Sequence, residues 1–124
     1  MKTALRMTPQ TIAVLQVAQQ LGHANNLQIL VKVRQNFPTL TPTTVHRITS
    51  RLIENGLLAA GPQINGARLI DANTTVHDHF LCSDCDGIKD FNINSSVREA
   101  IKTELQIKKL PRSLTIYGDC DACL

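Results

Sequence analysis

The chain has few aromatic residues and no long apolar run. It contains no tryptophan, and three phenylalanines and one tyrosine bring the aromatic share to 3% of 124 residues. A base-stacking surface for single-stranded nucleic acid, which needs aromatic rings, is therefore not expected. No apolar run is long enough to span a membrane, and residues 1–6 hold no signal-peptide core. These absences predict a soluble, cytoplasmic protein with an aliphatic core and no membrane partner.

Acidic side chains are scarce in the first part of the chain. Residues 1–70 carry seven lysines and arginines but a single acid, Glu54, whereas residues 71–124 carry six basic and nine acidic side chains. The net charge of +3 for the whole chain conceals this division. A basic half followed by an acidic half indicates a polyanion-binding module attached to a cation-binding one.

Cysteine is limited to four residues, which form two Cys-x-x-Cys pairs. In a reducing cytoplasm such pairs favour metal binding over structural disulfides, although disulfides, iron and thiol redox chemistry are the alternatives. Two pairs together supply the four thiolates of a closed tetrahedral zinc site, which has no open position for catalysis. The predicted ligands of this structural Zn²⁺ are Cys82, Cys85, Cys120 and Cys123.

The N-terminal half contains signals for two helices before residue 38. The first is expected to begin at the cap Thr8 and to end by Gly22. The second is expected to begin at Asn25 or Asn26 and to end before Phe37-Pro38. Its predicted apolar positions are Leu27, Leu30 and Val31.

A third helix, capped by Thr41, is predicted to end at Asn55-Gly56 and to be followed by a hairpin whose turn is Asn65-Gly66. Its predicted buried stripe is Val45, Ile48 and Leu52. Three helices and a hairpin are typical of a winged-helix domain, in which the third helix enters the major groove of DNA. A solvated helix face is the alternative interpretation of its polar residues. The candidate DNA-binding residues are Thr43, Thr44, His46, Arg47, Ser50 and Arg51.

The C-terminal half is predicted to be a small mixed structure, after a linker at residues 71–75. Strands are expected at residues 79–81, 87–91 and 113–117. Between the last two, a helix capped by Ser96 is predicted, with Glu99 completing a capping box. Its predicted apolar stripe is Val97, Ile101 and Leu105. The fold class is therefore α+β.

A second set of metal ligands lies beside the first cysteine pair. His77 and His79 are two residues apart on a predicted strand, so their side chains point to the same side. Asp71 and Asp90 lie on either side of them in sequence, and imidazoles with carboxylates suit Fe²⁺, Mn²⁺ or Zn²⁺. The alternative is a surface strand with polar histidines. His23, taken alone, reads as an ordinary histidine between helices.

The sequence resembles the ferric uptake regulator (Fur) family of metal-dependent repressors over nearly its whole length. The matching segments are Arg6-Met7-Thr8-Pro9-Gln10, Thr44-Val45-His46-Arg47, Glu54-Asn55-Gly56-Leu57, the run from His77 to Cys85, and the run from Tyr117 to Cys123. The resemblance implies a homodimer that binds a double-stranded DNA operator. It implies a winged-helix DNA-binding domain at 1–71, a hinge at 72–76, and an α/β dimerisation and metal-binding domain at 77–124.

The resemblance also implies a regulatory Fe²⁺ or Mn²⁺ site that joins the two domains. Its ligands would be His23, Asp71, His77, His79 and Asp90. Asp90 stands where iron-responsive members typically have glutamate, which resembles the peroxide-sensing branch. In that branch, iron and peroxide together oxidise ligand histidines, which here correspond to His23 and His77. An iron- or manganese-responsive regulator without peroxide chemistry is the alternative.

Three differences from the family pattern concern DNA binding. His46 replaces a tyrosine, Thr11 replaces an arginine, and the short start implies that the family's first helix is reduced or missing. A metal-buffering protein without DNA function is therefore an alternative of another class. A zinc deaminase would need His-x-Glu, but His77 is followed by Asp78 and His79, so we do not expect an enzyme.

Overall fold

A computed structural model gives the structure of residues 5–123, which form two compact units. The N-terminal unit ends at Thr74 and the C-terminal unit begins at Thr75. The expectation of a reduced first helix falls partly on residues 1–4, which lie outside the described range. Within residues 5–123, no helix is both long and apolar enough to cross a membrane.

The N-terminal unit consists of three helices and a small sheet. Two strands of the sheet follow the helices, and the third lies between α1 and α2. In chain order its elements are α1 (Pro9–Leu21), β1 (His23–Ala24), α2 (Asn26–Val33), α3 (Pro42–Glu54), β2 (Ala59–Ile64) and β3 (Ala67–Asp71). The strands form an antiparallel sheet in the order β1-β3-β2. The three helices and the β2–β3 hairpin confirm the predicted winged-helix arrangement.

Local capping signals place the helix starts of this unit. The side chain of Thr8 accepts a hydrogen bond from the backbone of Thr11, and the side chain of Thr41 accepts one from the backbone of Thr44. A threonine cap satisfies a backbone N–H that the first helical turn leaves unpaired. The predicted caps of α1 and α3 are therefore confirmed. The predicted stripe of α3 is also confirmed, since Val45, Ile48 and Leu52 are buried.

Helix α2 buries Leu30 as predicted, but not the other two predicted apolar positions. It buries Ile29, Leu30 and Val33, whereas Leu27 and Val31 are 66% and 64% exposed. Both apolar sets follow helical spacing, because residues three and four apart share a face. Contacts with α1 and α3 select between them, and the sequence of α2 does not contain that information.

The predicted hairpin turn is confirmed, and a further strand pairs with the hairpin. Its turn has Asn65 and Gly66 at φ 51° and 81°, as a tight hairpin of this type requires. Strand β1, which the sequence did not reveal, places His23 opposite Asp71 and Ala24 opposite Ile70. Asp71 therefore ends β3, and the prediction that it begins the linker was wrong.

The C-terminal unit is a three-stranded sheet with one longer helix. Its elements are β4 (Asp78–Cys82), β5 (Ile88–Phe91), α4 (Ser95–Leu105), β6 (Thr115–Gly118) and a short 3₁₀ helix (Asp121–Cys123). The sheet order is β5-β4-β6, with β4 antiparallel to β5 and parallel to β6. Together the two units give the α+β fold that the sequence predicted.

Helix α4 differs from its prediction at its cap and at its apolar stripe. The cap is Asn94, whose side chain accepts a hydrogen bond from the backbone of Val97, and Ser96 donates its hydroxyl to the same oxygen. Ser96 lies inside the first turn because the helix begins two residues earlier than the capping-box spacing suggested. No residue of Ser95–Leu105 is buried, and Val97 and Leu105 are 46% and 60% exposed. The predicted stripe is therefore an exposed apolar face in this chain.

Candidate metal centres

The four cysteines come together at one end of the C-terminal sheet. Cys82 ends β4, and Cys85 lies in the turn that leads to β5. Parallel pairing sets Cys82 beside Gly118 at the end of β6, so the chain that follows carries Cys120 and Cys123 to the same place. The sheet register thus converts two distant sequence pairs into one cluster.

The spacing of the sulfur atoms fits a tetrahedral zinc ion. The Sγ atoms of Cys82 and Cys123 are 3.7 Å apart, those of Cys85 and Cys120 are 3.8 Å apart, and those of Cys120 and Cys123 are 3.4 Å apart. Four sulfurs about 2.3 Å from a central zinc would lie about 3.8 Å from one another. All four thiols are free of disulfides. The cluster therefore fits the structural zinc site that the spacing predicted.

Backbone groups favour the ionised form of one of these thiols. The N–H groups of Cys85 and Cys120 donate to Cys82 Sγ and lower the pKa of that thiol to about 6. Thiol–thiol hydrogen bonding to Cys120 raises the pKa of Cys123. A cation placed among the sulfurs would stabilise all four thiolates at once, which is how zinc offsets their mutual repulsion.

In the N-terminal unit, His23 and Asp71 form a cross-strand pair. They are directly opposite in the β1–β3 register, and the Nε2 of His23 lies 3.2 Å from an Oδ atom of Asp71. The Asp71 side chain is buried and the His23 side chain is 20% exposed. This pair joins the last residue of β3 to the first residue of β1.

In the C-terminal unit, His77, His79 and Asp90 form a second group. Asp90 is opposite His79 in the β4–β5 register, and its two carboxylate oxygens lie 3.5 Å from His77 Nε2 and 3.6 Å from His79 Nε2. The two imidazole rings meet edge to face with centroids 4.4 Å apart. His77 Nδ1 is 2.6 Å from the carbonyl oxygen of Thr75, so Nε2 is the ring atom that faces the carboxylate. Two Nε2 atoms and a carboxylate within this distance can share a divalent cation.

Asp78, between the two histidines, has a role that sequence reasoning missed. Its buried carboxylate accepts hydrogen bonds from the backbone of Ile93 and Leu114 at 2.8 and 2.9 Å, and Arg98 lies 3.5 Å away. Burial alone raises the pKa of Asp78, but these N–H groups and the guanidinium outweigh it and leave the pKa below its ordinary value. Arg98 also donates to the carbonyl oxygen of Pro111. Asp78 thus ties β4 to the segments before α4 and β6.

The candidate DNA-binding residues lie on α3. His46, Arg47 and Thr43 are exposed, while Thr44, Ser50 and Arg51 are half-buried. Thr44 also takes part in the helix cap through its hydroxyl, which lies 3.0 Å from that of Thr41. An exposed helix face with two arginines and a histidine, next to a hairpin, is compatible with a duplex DNA interface.

A winged-helix unit joined to a unit with a four-cysteine cluster, each with paired histidine and aspartate side chains, is the arrangement of a class of metal-responsive regulators. The sequence profile of the ferric uptake regulator family matches residues 2–117. The chain belongs to that family, as the sequence motifs predicted.

Known relatives agree with this assignment. The peroxide operon regulator of Bacillus subtilis (strain 168) is 26% identical over 125 residues, covering 98% of this chain and 86% of that protein. The iron-bound ferric uptake regulator of Francisella tularensis has a TM-score of 0.78 at 19% identity, covering 99% of this chain and 97% of its own. The peroxide stress regulator of Campylobacter jejuni has a TM-score of 0.68 at 23% identity, covering 93% of this chain and 89% of its own. The two structures share this fold.

Proposed function

We propose that this protein is a dimeric, metal-dependent transcriptional repressor that binds operator DNA when a regulatory Fe²⁺ or Mn²⁺ is bound, and that it senses peroxide. Zn²⁺ held by the four cysteines stabilises the C-terminal unit. The regulatory ion is bound by His23, Asp71, His77, His79 and Asp90. The ion therefore takes ligands from both units.

The observation that carries the proposal is that each unit contains its own histidine–aspartate group, held by paired strands, with His77 directly before β4. Neither group is a complete coordination shell. His23 and Asp71 supply two side chains, and the group around Asp90 supplies three. An ion shared by both groups would fix the orientation of the winged-helix unit, because Asp71 ends a strand of the hairpin.

Orientation matters for DNA binding because a dimer must place two helices on half-sites roughly 34–36 Å apart. A metal that favours the matching orientation raises the affinity for DNA, and DNA raises the affinity for the metal by the same factor. The exposed apolar face of α4 supports the proposed dimer, since exposed apolar surface of this kind marks interaction sites.

For peroxide sensing, an Fe²⁺ ion held by His23 and His77 would supply the one-electron redox chemistry that activates peroxide beside their imidazoles, and would be regenerated as the imidazole is oxidised. In the net reaction, an imidazole C–H of His23 or His77 becomes C–OH, and hydrogen peroxide becomes water. The oxidised imidazole is a poorer ligand, so the metal leaves and DNA is released. Support comes from the similarity to a peroxide operon regulator and from Asp90 in the ligand set.

Metal dependence is tested by measuring the affinity of the zinc-loaded protein for DNA with and without Mn²⁺, using duplex selected by the Mn²⁺-loaded protein from a random pool. We expect Mn²⁺ to raise the affinity at least tenfold, about 1.4 kcal/mol. Asp90→Asn should remove most of this gain, whereas Glu104→Gln on α4 should leave it intact. Equal affinity with and without Mn²⁺ would refute the metal-dependent mechanism, and failure of the Mn²⁺-loaded protein to select any duplex would favour a metal buffer.

The peroxide step is tested separately by mass spectrometry of the Fe²⁺-loaded protein after a brief exposure to peroxide. One added oxygen atom is expected on the peptide containing His23 or His77, with loss of DNA binding in parallel. The Mn²⁺-loaded protein is the control and should stay unmodified. Metal-dependent DNA binding without histidine oxidation would leave an iron- or manganese-responsive regulator. Oxidation confined to the cysteines would indicate a zinc-thiolate switch instead.

A further inference from the structure

Thr49 is a buried polar residue on α3, on the side opposite the candidate DNA-binding residues. It is 1% exposed, and its hydroxyl donates to the side-chain Oδ1 of Asn26 at 2.8 Å. Asn26 is the first residue of α2. This hydrogen bond therefore links α3 to the beginning of another helix, over 23 residues of sequence.

The segment that Thr49 contacts begins at a proposed metal ligand. His23 and Ala24 form β1, which pairs with β3 through His23 and Asp71. Asn25 then caps α2, with reciprocal hydrogen bonds of 2.8 Å to Gln28 that hold the first turn in place. Asn26 follows directly. A shift of His23 on metal binding would therefore be carried along a short, hydrogen-bonded segment to the acceptor of Thr49.

The link can break without leaving a buried donor unpaired. The Thr49 hydroxyl has one hydrogen, and a second acceptor, the carbonyl oxygen of His46, lies 3.1 Å away. If Asn26 moves away, the hydrogen can turn to that carbonyl within α3, as threonines in helices commonly do. Asn26 is half-buried, so water can reach its side chain. The Thr49 hydroxyl thus has a partner in two arrangements, one that joins the helices and one that does not.

We propose that Thr49 is a positioning residue that transmits metal occupancy at His23 and Asp71 to α3 through its hydrogen bond to Asn26. When metal is bound, Asn26 stays within hydrogen-bond distance of the Thr49 hydroxyl, and this hydrogen bond holds α3 in the position that binds DNA. Without metal, the hydroxyl turns to the carbonyl of His46 and α3 is released. The inference rests on the proposed function, because it requires DNA binding that depends on metal.

The experiment compares DNA affinity with and without Mn²⁺ for the full-length zinc-loaded protein and for Thr49→Val, which removes the hydroxyl and keeps the shape. One hydrogen bond implies that the gain in affinity caused by Mn²⁺ falls about three- to tenfold. Binding of Mn²⁺ in the absence of DNA should change by less than about twofold, since no ligand is altered. Thr49→Ser, which keeps the hydroxyl, should restore the gain.

Two further variants keep the test decisive. Asn26→Ala removes the acceptor from the other helix and should cause the same loss of the Mn²⁺ gain. It takes the place of Thr49→Val if that variant folds poorly. Thr103→Val on α4 is the matched control, because the Thr103 hydroxyl bonds only within its own helix, to Glu99, among the contacts of residues 5–123. It should leave the gain unchanged.

The outcomes separate this inference from the proposed function. If wild-type protein shows no gain with Mn²⁺, the proposed function fails and the inference fails with it. If wild type shows the gain and Thr49→Val retains it in full, the inference alone is wrong. Equal weakening with and without Mn²⁺ would show that Thr49 only supports the packing of α3, and would also overturn it.

Discussion

The two units are stabilised by different means. The N-terminal unit has a continuous aliphatic core to which all three helices and the hairpin contribute, including Val14, Leu30, Leu52 and Ile70. Among residues 75–123, by contrast, the buried apolar side chains are Leu81 and Cys82, and Cys82 belongs to the four-cysteine cluster. A unit with so little core needs a metal or another covalent or polar staple. Packing holds one unit, and thiolates with a polar network hold the other.

The largest expected contrast between the units is their response to zinc removal. Chelation should unfold the C-terminal unit, because binding of a structural zinc contributes on the order of 10 kcal/mol to the folding of small metal-binding domains. The N-terminal unit should stay folded. Hydrogen exchange measures both, through the amides of β4 and α3. Retained protection of β4 after loss of zinc, verified by elemental analysis, would contradict this division.

A truncation in the N-terminal core should destabilise the N-terminal unit and leave the C-terminal unit unchanged. Leu30→Ala should destabilise the N-terminal unit by about 2–5 kcal/mol because it leaves a cavity in the core. Leu27→Ala on the same helix is the matched control, and at 66% exposure it should change stability by less than about 0.5 kcal/mol. Denaturant melts followed by hydrogen exchange of α3 report the difference. Zinc content should not change in either variant. Equal effects on stability would mean that Leu27 is buried together with Leu30, as the face predicted from sequence requires.

The smallest expected effect concerns the polar network of the C-terminal unit. Asp78→Ala leaves the N–H groups of Ile93 and Leu114 and the guanidinium of Arg98 without their shared acceptor, which should cost about 1–3 kcal/mol. Glu99→Gln is the control, since it breaks an exposed pair with Lys102, and such pairs contribute about 0–1 kcal/mol. Stability is measured on the zinc-loaded proteins at pH 7. No difference between the variants would mean that zinc alone holds this unit.

Apart from the cap of α4, the sequence predicted the features that depend on short spacing. Thr8 and Thr41 cap helices because a cap needs a hydroxyl within three residues of its partner, and two Cys-x-x-Cys pairs are enough to indicate four thiolates. The features that it did not predict depend on contacts between distant segments. These features are the pairing of β1 with β3, the buried face of α2, and the hydrogen bonds of Asp78 and Thr49. The hydrogen bonds and the strand pairing join residues 15 or more apart in sequence, and the local pattern is the same with or without them.

The histidine and aspartate ligands lie between these cases. Spacing alone brings His77 and His79 together, and the strand register adds Asp90. His23 entered the predicted ligand set only through the family resemblance, because a single histidine between two helices carries no local signal of metal binding. Its position opposite Asp71 is a consequence of β1, the strand that the sequence did not reveal.

The parallel pairing of β4 with β6 has a consequence for synthesis on the ribosome. Every long-range contact of the N-terminal core is available once residue 71 has emerged. The four-cysteine cluster also needs Cys123, which follows 52 residues later (123 − 71). Domains generally fold as units while the chain is made, the N-terminal one first. The nascent winged-helix unit can therefore fold before β6 has been synthesised and has paired with β4. Premature termination before Cys120 would release a chain with a folded winged-helix unit and without the four-cysteine cluster.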